Sequence, residues 1–160
     1  MFRILSRLGL AAALVAAVAV PTTVSAAGGG GGGGSHGMTI TIGSPITLQN
    51  KLLISVPVTV TCVAPISIDP TLVPPGGVGV EVEQASHNSV ALGAGNVELD
   101  SCSPTPQTFI VQVTPALGPT TTVVSFHGGQ AIVSANGSIC DFNFPQTCYF
   151  TSTPWQATKL

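Results

Sequence analysis

Apolar and polar residues alternate with a period of two along much of this chain. In the clearest segment, from Leu52 to Cys62, every even-numbered position is apolar and most odd-numbered positions are polar. Alternation over this length is typical of a β-strand with one buried face. Pro57 cannot donate a backbone hydrogen bond, so it indicates a sheet edge or a bulge in this strand.

The same alternation recurs in shorter segments separated by turn residues. It predicts further strands near residues 39–42, 46–48, 78–83, 108–114, 121–126, 131–135 and within 139–153. Turns are predicted between them, among others at Gly93 to Asn96 and at Asn136-Gly137. No segment after residue 37 shows sustained 3.6-residue periodicity. Short strands at this spacing predict an all-β fold, an antiparallel sandwich or barrel, and of the two we favour a sandwich of about 7–9 strands.

Four stretches of this pattern together resemble secreted bacterial immunoglobulin-like β-sandwich domains of unknown function. The stretches are Thr59 to Cys62, Val80 to Gln84, Cys102, and Phe126 to Ala135. The resemblance covers about residues 45–135. It implies the sandwich fold and brings no activity, cofactor or catalytic residue with it.

The beginning of the chain has the three-part layout of a secretory signal peptide. Arg3 and Arg7 are followed by an uncharged apolar run over residues 8–20, by Pro21, and by small residues up to Ala26. The run is shorter than the roughly 20 residues that a membrane-spanning helix needs. We therefore predict that residues 1–26 are a signal peptide and that the mature chain is secreted, with no membrane attachment afterwards.

Residues 27–37 contain seven consecutive glycines, from Gly28 to Gly34. Glycine has the largest backbone freedom to lose on folding, and this stretch has no apolar surface to bury. We predict a flexible tether over residues 27–37. Residues 38–160 are long enough for a single domain with its own core.

Few charges remain once the predicted signal peptide is removed. The mature chain has two lysines, Lys51 and Lys159, against six carboxylates, which gives a net charge of −4. Because it has no arginine, it cannot neutralise a run of phosphates, so a nucleic-acid partner is excluded. A partner that is an extracellular protein or a cell surface fits this composition better.

The four cysteines favour two disulfides, because the chain is predicted to be secreted and has no close Cys-x-x-Cys pair for zinc. Four cysteines allow three pairings. Cys140 and Cys148 are close in sequence and suit a locally closed loop. That pairing leaves Cys62 to bond with Cys102.

Four of the six carboxylates lie in two short alternating segments, as Glu81 and Glu83 and as Glu98 and Asp100. An antiparallel hairpin with Glu81 opposite Asp100 and Glu83 opposite Glu98 would also align the apolar faces. Opposed like charges are destabilising, and a weakly bound calcium ion would relieve their repulsion. The alternative interpretation is a solvated outer face that binds no metal.

Groups for catalysis are scarce. His36 lies in the predicted tether and His87 in a polar turn, which leaves His127 as the one isolated candidate for a general base. His127 precedes two glycines, and we favour its interpretation as a plain turn or edge histidine. No Gly-x-Ser-x-Gly motif is present. Trp155 and Tyr149, the only Trp and Tyr, provide little for carbohydrate stacking.

Asn136-Gly137-Ser138 has two interpretations. It matches the acceptor motif for N-glycosylation. An Asn-Gly pair is also the preferred dipeptide of a two-residue hairpin turn.

These observations favour a secreted, non-enzymatic domain that acts in adhesion, surface structure or ligand binding, without a cofactor. Two other functional classes stay open at this point. A small hydrolase would use His127 or the carboxylates. A calcium-binding module would use Glu81, Glu83, Glu98 and Asp100, which we call the acidic stripe.

Overall fold

The structure of the chain, a computed structural model, describes residues 37–67, 76–117, 122–141 and 147–160. The predicted signal peptide and residues 27–36 of the predicted tether lie outside these ranges. Gly37, the last residue assigned to the tether, is buried, and its carbonyl accepts a hydrogen bond of 2.7 Å from the Val63 N–H. Within the described ranges, no helix is long and apolar enough to cross a membrane.

Eleven β-strands make up the ordered elements of the described residues. They are β1 (Met38–Ile42), β2 (Thr47–Gln49), β3 (Leu53–Cys62), β4 (Ile66–Ser67), β5 (Gly76–Ser86), β6 (Ser89–Leu99), β7 (Ser101–Cys102), β8 (Gln107–Pro115), β9 (Gln130–Asp141), β10 (Thr147–Ser152) and β11 (Gln156–Lys159). Every pairing between them is antiparallel, which confirms the predicted all-β antiparallel class.

Nine of these strands form one nearly closed sheet rather than the two separate sheets expected of a sandwich. Its order is β1-β3-β8-β6-β5-β9-β10, with β2 also paired to β3 and β11 also paired to β9. A short second sheet joins β4 to β7. The link that makes the main sheet continuous is small, because β6 pairs with β8 only where Gly93 and Ala94 meet Pro115 and Thr114.

The core lies inside this sheet and follows the predicted alternation. In β3 the even positions from Ile54 to Cys62 are buried, as predicted, and the odd positions are half-buried. Leu52, the first residue of the predicted strand, precedes β3 and is 59% exposed, so its place on the buried face was predicted wrongly. Inward-facing valines of β5, β8 and β9 complete the interior together with Phe126, which is fully buried. Each strand therefore contributes one apolar face to a common core.

The two edges of the sheet are both interrupted at a proline. β1 and β2 lie end to end along β3 and are separated by Gly43–Ile46, which contains Pro45. β10 and β11 lie end to end along β9 and are separated by Thr153–Trp155, which contains Pro154. Broken edge strands offer no long ladder of unpaired backbone groups to another chain.

Pro57 lies inside β3, paired with Ile110 of β8, and not at a sheet edge. Its carbonyl accepts a hydrogen bond of 2.7 Å from the Gly43 N–H, at the interruption between β1 and β2. The N–H and C=O of a strand residue point to the same side, so the missing donor of Pro57 also faces this interruption. A proline is tolerated here because the neighbouring strand is broken at this point.

Both predicted disulfides are present. Cys62–Cys102 joins the end of β3 to β7, with 5.7 Å between the two Cα atoms. Cys140–Cys148 joins directly opposed residues of β9 and β10. Strand β6 ends at Leu99, and Cys102 belongs to the separate ladder of β4 and β7.

Three predictions about turns and strands are wrong. Gly93 to Asn96 lies inside β6, and Asn136-Gly137 lies inside β9, so neither is a turn. The segment predicted as a strand at residues 121–126 contributes only an isolated bridge between Val123 and Leu117 among its described residues.

The glycine at position 137 is explained by a close approach between opposite sides of the sheet. A Cβ atom on Gly137 would lie 2.6 Å from Ile40 Cδ1 and 3.0 Å from Met38 Cε. Strands β1 and β9 thus approach one another across the nearly closed sheet. The Asn-Gly pair reflects this tertiary contact and not a local hairpin.

Candidate functional site

The predicted hairpin between the two acidic segments exists, but its predicted register is wrong. β5 and β6 are antiparallel neighbours joined by a tight turn at His87-Asn88, where His87 has a φ of 49°. This register places Glu81 opposite Ala94 and Glu83 opposite Leu92. Each partner lies six positions earlier than predicted, at 92 instead of 98 for Glu83, and because this shift is even each side chain keeps its predicted face.

The acidic stripe is therefore not gathered into one site. Glu98 pairs with Gly77, which lies four residues before Glu81 along β5, a separation of about 13 Å. Asp100 follows the end of β6. In the part of the chain that the structure describes, no three His, Cys, Asp or Glu side chains are arranged to hold a metal ion. The calcium hypothesis loses its geometric basis.

The outer face of β5, β6 and β9 carries apolar side chains where polar ones would be expected. Two register-matched rows cross it, one of Ala157, Ile132, Glu83 and Leu92, the other of Ser134, Glu81 and Ala94. Leu117 stands beside them, because the Ala116 N–H donates a hydrogen bond of 2.8 Å to the carbonyl of Leu92. We call the set Glu81, Glu83, Leu92, Ala94, Leu117 and Ile132 the outer patch.

A shallow groove of about 250 Å³ lies in the outer patch, lined by the two glutamates of β5 and, on the β6 side, by Leu92 and Leu117. Leu117 is 68% exposed and Ile132 is 38% exposed. Glu83 is half-buried, whereas Glu81 is exposed. Large aliphatic groups that face solvent next to a concave surface are typical of interaction sites.

The two glutamates of the outer patch have no partner among the described residues. Neither forms a hydrogen bond or an ion pair there. The lysine closest in register, Lys159, lies opposite Gln130, one row beyond Ile132 and on the second strand from Glu83. The patch is therefore an apolar surface with two uncompensated negative charges at its centre.

His127 is held by the backbone and is not poised as a base. Its Nε2 lies 3.1 Å from the carbonyl oxygen of Ala85, and its Nδ1 lies 3.0 Å from that of Gly128. A general base needs a ring nitrogen whose lone pair faces a substrate. Since both nitrogens face carbonyl oxygens, this geometry favours the interpretation of His127 as a structural edge histidine.

Gln84 fixes the segment that contains His127. This fully buried side chain accepts a hydrogen bond of 2.9 Å from the His127 N–H and donates one of 2.8 Å to the His127 carbonyl. The Gln84 amide thus makes the two hydrogen bonds to the His127 backbone that a neighbouring strand would otherwise make. Two of the four stretches that resemble immunoglobulin-like domains, those containing Gln84 and Phe126, meet at this contact.

The remaining candidate residues, Tyr149, Trp155 and Asn136, lie at different positions in the fold. Tyr149 is buried, and a Cβ on Gly37 would overlap its ring. Trp155 is 45% exposed in the interruption between β10 and β11. Asn136 of the possible glycosylation motif is exposed on the outer face of β9.

Sequence reasoning missed the outer patch, although one sign of it was present. Because Ala131, Val133 and Ala135 point inward, the intervening Ile132 has to point outward. The position of Leu92 next to Glu83 depends on the hairpin register, which could be determined only from the structure.

Comparison of the chain with protein-family models, with curated proteins and with solved structures finds no match. The resemblance to secreted immunoglobulin-like domains therefore stays a prediction, and the site has to be interpreted from its own geometry.

Proposed function

We propose that this chain is a secreted, non-enzymatic binding domain that recognises an extracellular partner through the outer patch. The observation that carries the proposal is the exposed aliphatic surface and groove on a disulfide-braced sheet. Contiguous exposed apolar patches rimmed by polar residues are typical of interaction sites, whereas apolar residues scattered singly over a surface are not. The disulfides are consistent with an extracellular location.

The immunoglobulin-like relationship belongs to the same proposal. Its support is that the strands fall into two groups, β1-β2-β3-β8 and β5-β6-β9-β10-β11, linked by only two residue pairs. Inward side chains of both groups share one core, as in a two-sheet sandwich.

Secretion is tested by sequencing the N-terminus of the protein recovered from culture medium. We expect the mature chain to begin at Ala27, after the small residues that signal peptidase accepts. Recovery of a chain that keeps Met1 would contradict secretion through this peptide.

The binding surface is tested by site-specific photo-crosslinking in the cells that normally produce the protein. A photoreactive residue is placed at Leu117 or Ile132 of the outer patch, or at Ile110, an aliphatic residue 55% exposed on the outer face of β8, as the matched control. We expect discrete crosslinked species from the patch positions alone. Equal crosslinking from both faces, or none, would refute a dedicated binding role for the patch.

A further inference from the structure

We propose that the partner docks a basic protein segment onto the outer patch, with Lys or Arg at alternating positions of an extended chain. This inference rests on the proposed binding function and specifies the chemistry of the partner. Its starting point is that the most central polar groups of the patch, Glu81 and Glu83, are both acidic and have no partner among the described residues.

The spacing of the two glutamates defines the spacing of the cations. Glu81 and Glu83 are two residues apart on β5, so their side chains leave the same face about 6.7 Å apart. Basic residues at alternating positions of an extended segment have the same separation. One segment lying along the groove can therefore place one cation at each carboxylate.

The aliphatic wall suits the stems of the same side chains. Leu92 and Leu117 line the groove opposite the glutamates. Lys and Arg bury their methylene stems on apolar surface while the charged group stays at a polar edge. A groove with one aliphatic and one acidic side matches both parts of such a side chain.

A second copy of this chain does not fit the patch. A two-fold symmetric dimer through this surface would bring the glutamates of both copies, four carboxylates, into one interface. The rows that cross the patch contain no basic residue, and Lys159, one row beyond them, supplies only one cation per copy against two carboxylates, so a net repulsion would remain. The charge at the centre of the patch therefore points to a different, basic chain.

The test uses a synthetic peptide of alternating lysine and valine, with acetylated and amidated ends, and the full mature protein. Binding is followed by ¹H–¹⁵N NMR at low salt, which reports both affinity and location. We expect shifts at the amides of Glu81, Glu83, Leu92 and Ile132. The same peptide with every lysine side chain acetylated keeps its shape but loses its charge, and we expect no binding from it.

Two double variants, each lacking two carboxylates, distinguish binding at the outer patch from a general effect of net charge. Glu81→Gln/Glu83→Gln should weaken binding about tenfold, as expected for two surface ion pairs. Glu98→Gln/Asp100→Asn removes the same charge outside the patch and should stay within about twofold of the parent affinity. Unchanged melting temperatures establish that all three proteins are folded.

Several results would overturn the inference: no binding by the parent protein, shifts that map elsewhere, or equal weakening by both double variants. If photo-crosslinks form at the outer patch while the lysine peptide does not bind, the partner is not basic and the binding function stands. If neither occurs, both proposals fail.

Discussion

Gln84 and Gln107 both occupy inward-facing positions, but their amide groups have opposite surroundings. Gln84 satisfies the N–H and C=O of His127, and its Nε2 also lies 3.4 Å from the carbonyl of Gln130. Gln107 pairs with Val60 at the start of β8, and its buried Oε1 has no hydrogen-bond partner among the described residues. A polar residue in the core is thus stabilising at one position and costly at the other.

The same substitution at these two positions is expected to act in opposite directions. Gln84→Met leaves two backbone groups of His127 unpaired and should lower the free energy of unfolding by about 2–4 kcal/mol. Gln107→Met removes an unsatisfied oxygen and should leave stability unchanged or raise it by about 1 kcal/mol. Urea unfolding of both variants measures this. A similar decrease in the free energy of unfolding for both variants would show that the hydrogen bonds of Gln84 do not add to stability.

At the scale of elements, the β5–β6 hairpin shows how a turn decides which residues become neighbours. Its tight turn at His87-Asn88 sets the register, and Glu83 lies opposite Leu92 in consequence. The predicted register placed Glu83 opposite Glu98 instead. Both registers keep every side chain on the same face, so the outward direction of the glutamates was predicted correctly although their partners were not.

The corrected register predicts that calcium does not stabilise the protein. A ligand raises the melting temperature only if it binds the folded state better than the unfolded chain. Two glutamates on one strand, with Glu98 well separated from them, provide too few oxygens for calcium. Thermal unfolding with millimolar calcium and with a chelator should give the same midpoint. A rise that Glu83→Gln abolishes would restore the calcium hypothesis.

At the scale of the whole molecule, the seam between β6 and β8 joins the two groups of strands. Gly93 and Gly95 allow this crossing, since a Cβ on Gly93 would overlap the ring of Phe126 and one on Gly95 would overlap the carbonyl oxygen of Gln112. The obstacle at Gly95 is backbone and cannot move aside like the end of a side chain. The glycines of β6 therefore serve close packing and not a turn.

Gly95→Ala should lower the free energy of unfolding by about 3 kcal/mol or more, because β8 has to shift to admit the methyl group. Gly77→Ala is the matched control in β5, where a Cβ would meet only the Val97 carbonyl at 3.5 Å. That variant should be neutral or slightly stabilising. Equal effects in chemical denaturation would mean that the seam tolerates a side chain.

The two disulfides should differ in their contributions to the stability of the whole chain. Cys62–Cys102 spans 40 residues of sequence and Cys140–Cys148 spans 8. In the chain-entropy model, removing the longer crosslink costs about 4 kcal/mol and the shorter about 2.5 kcal/mol. Denaturation of the Cys62→Ala/Cys102→Ala and Cys140→Ala/Cys148→Ala variants tests the order. The reverse order would show that local packing outweighs loop closure.

Local patterns in the sequence determined the strand class, the inward and outward faces of the main strands, and the disulfide pairing. They did so because side-chain direction in a strand alternates with period two and because close cysteines leave one arrangement for the others. Only the tertiary structure decided the hairpin register, the strand positions of Gly95 and Gly137, and the closing of the sheet. Each of these depends on contacts between residues far apart in sequence, such as Gly95 with Gln112 and Gly137 with Ile40. Whether a glycine makes a turn or admits a neighbouring strand is set by what lies against it, and that neighbour is not encoded locally.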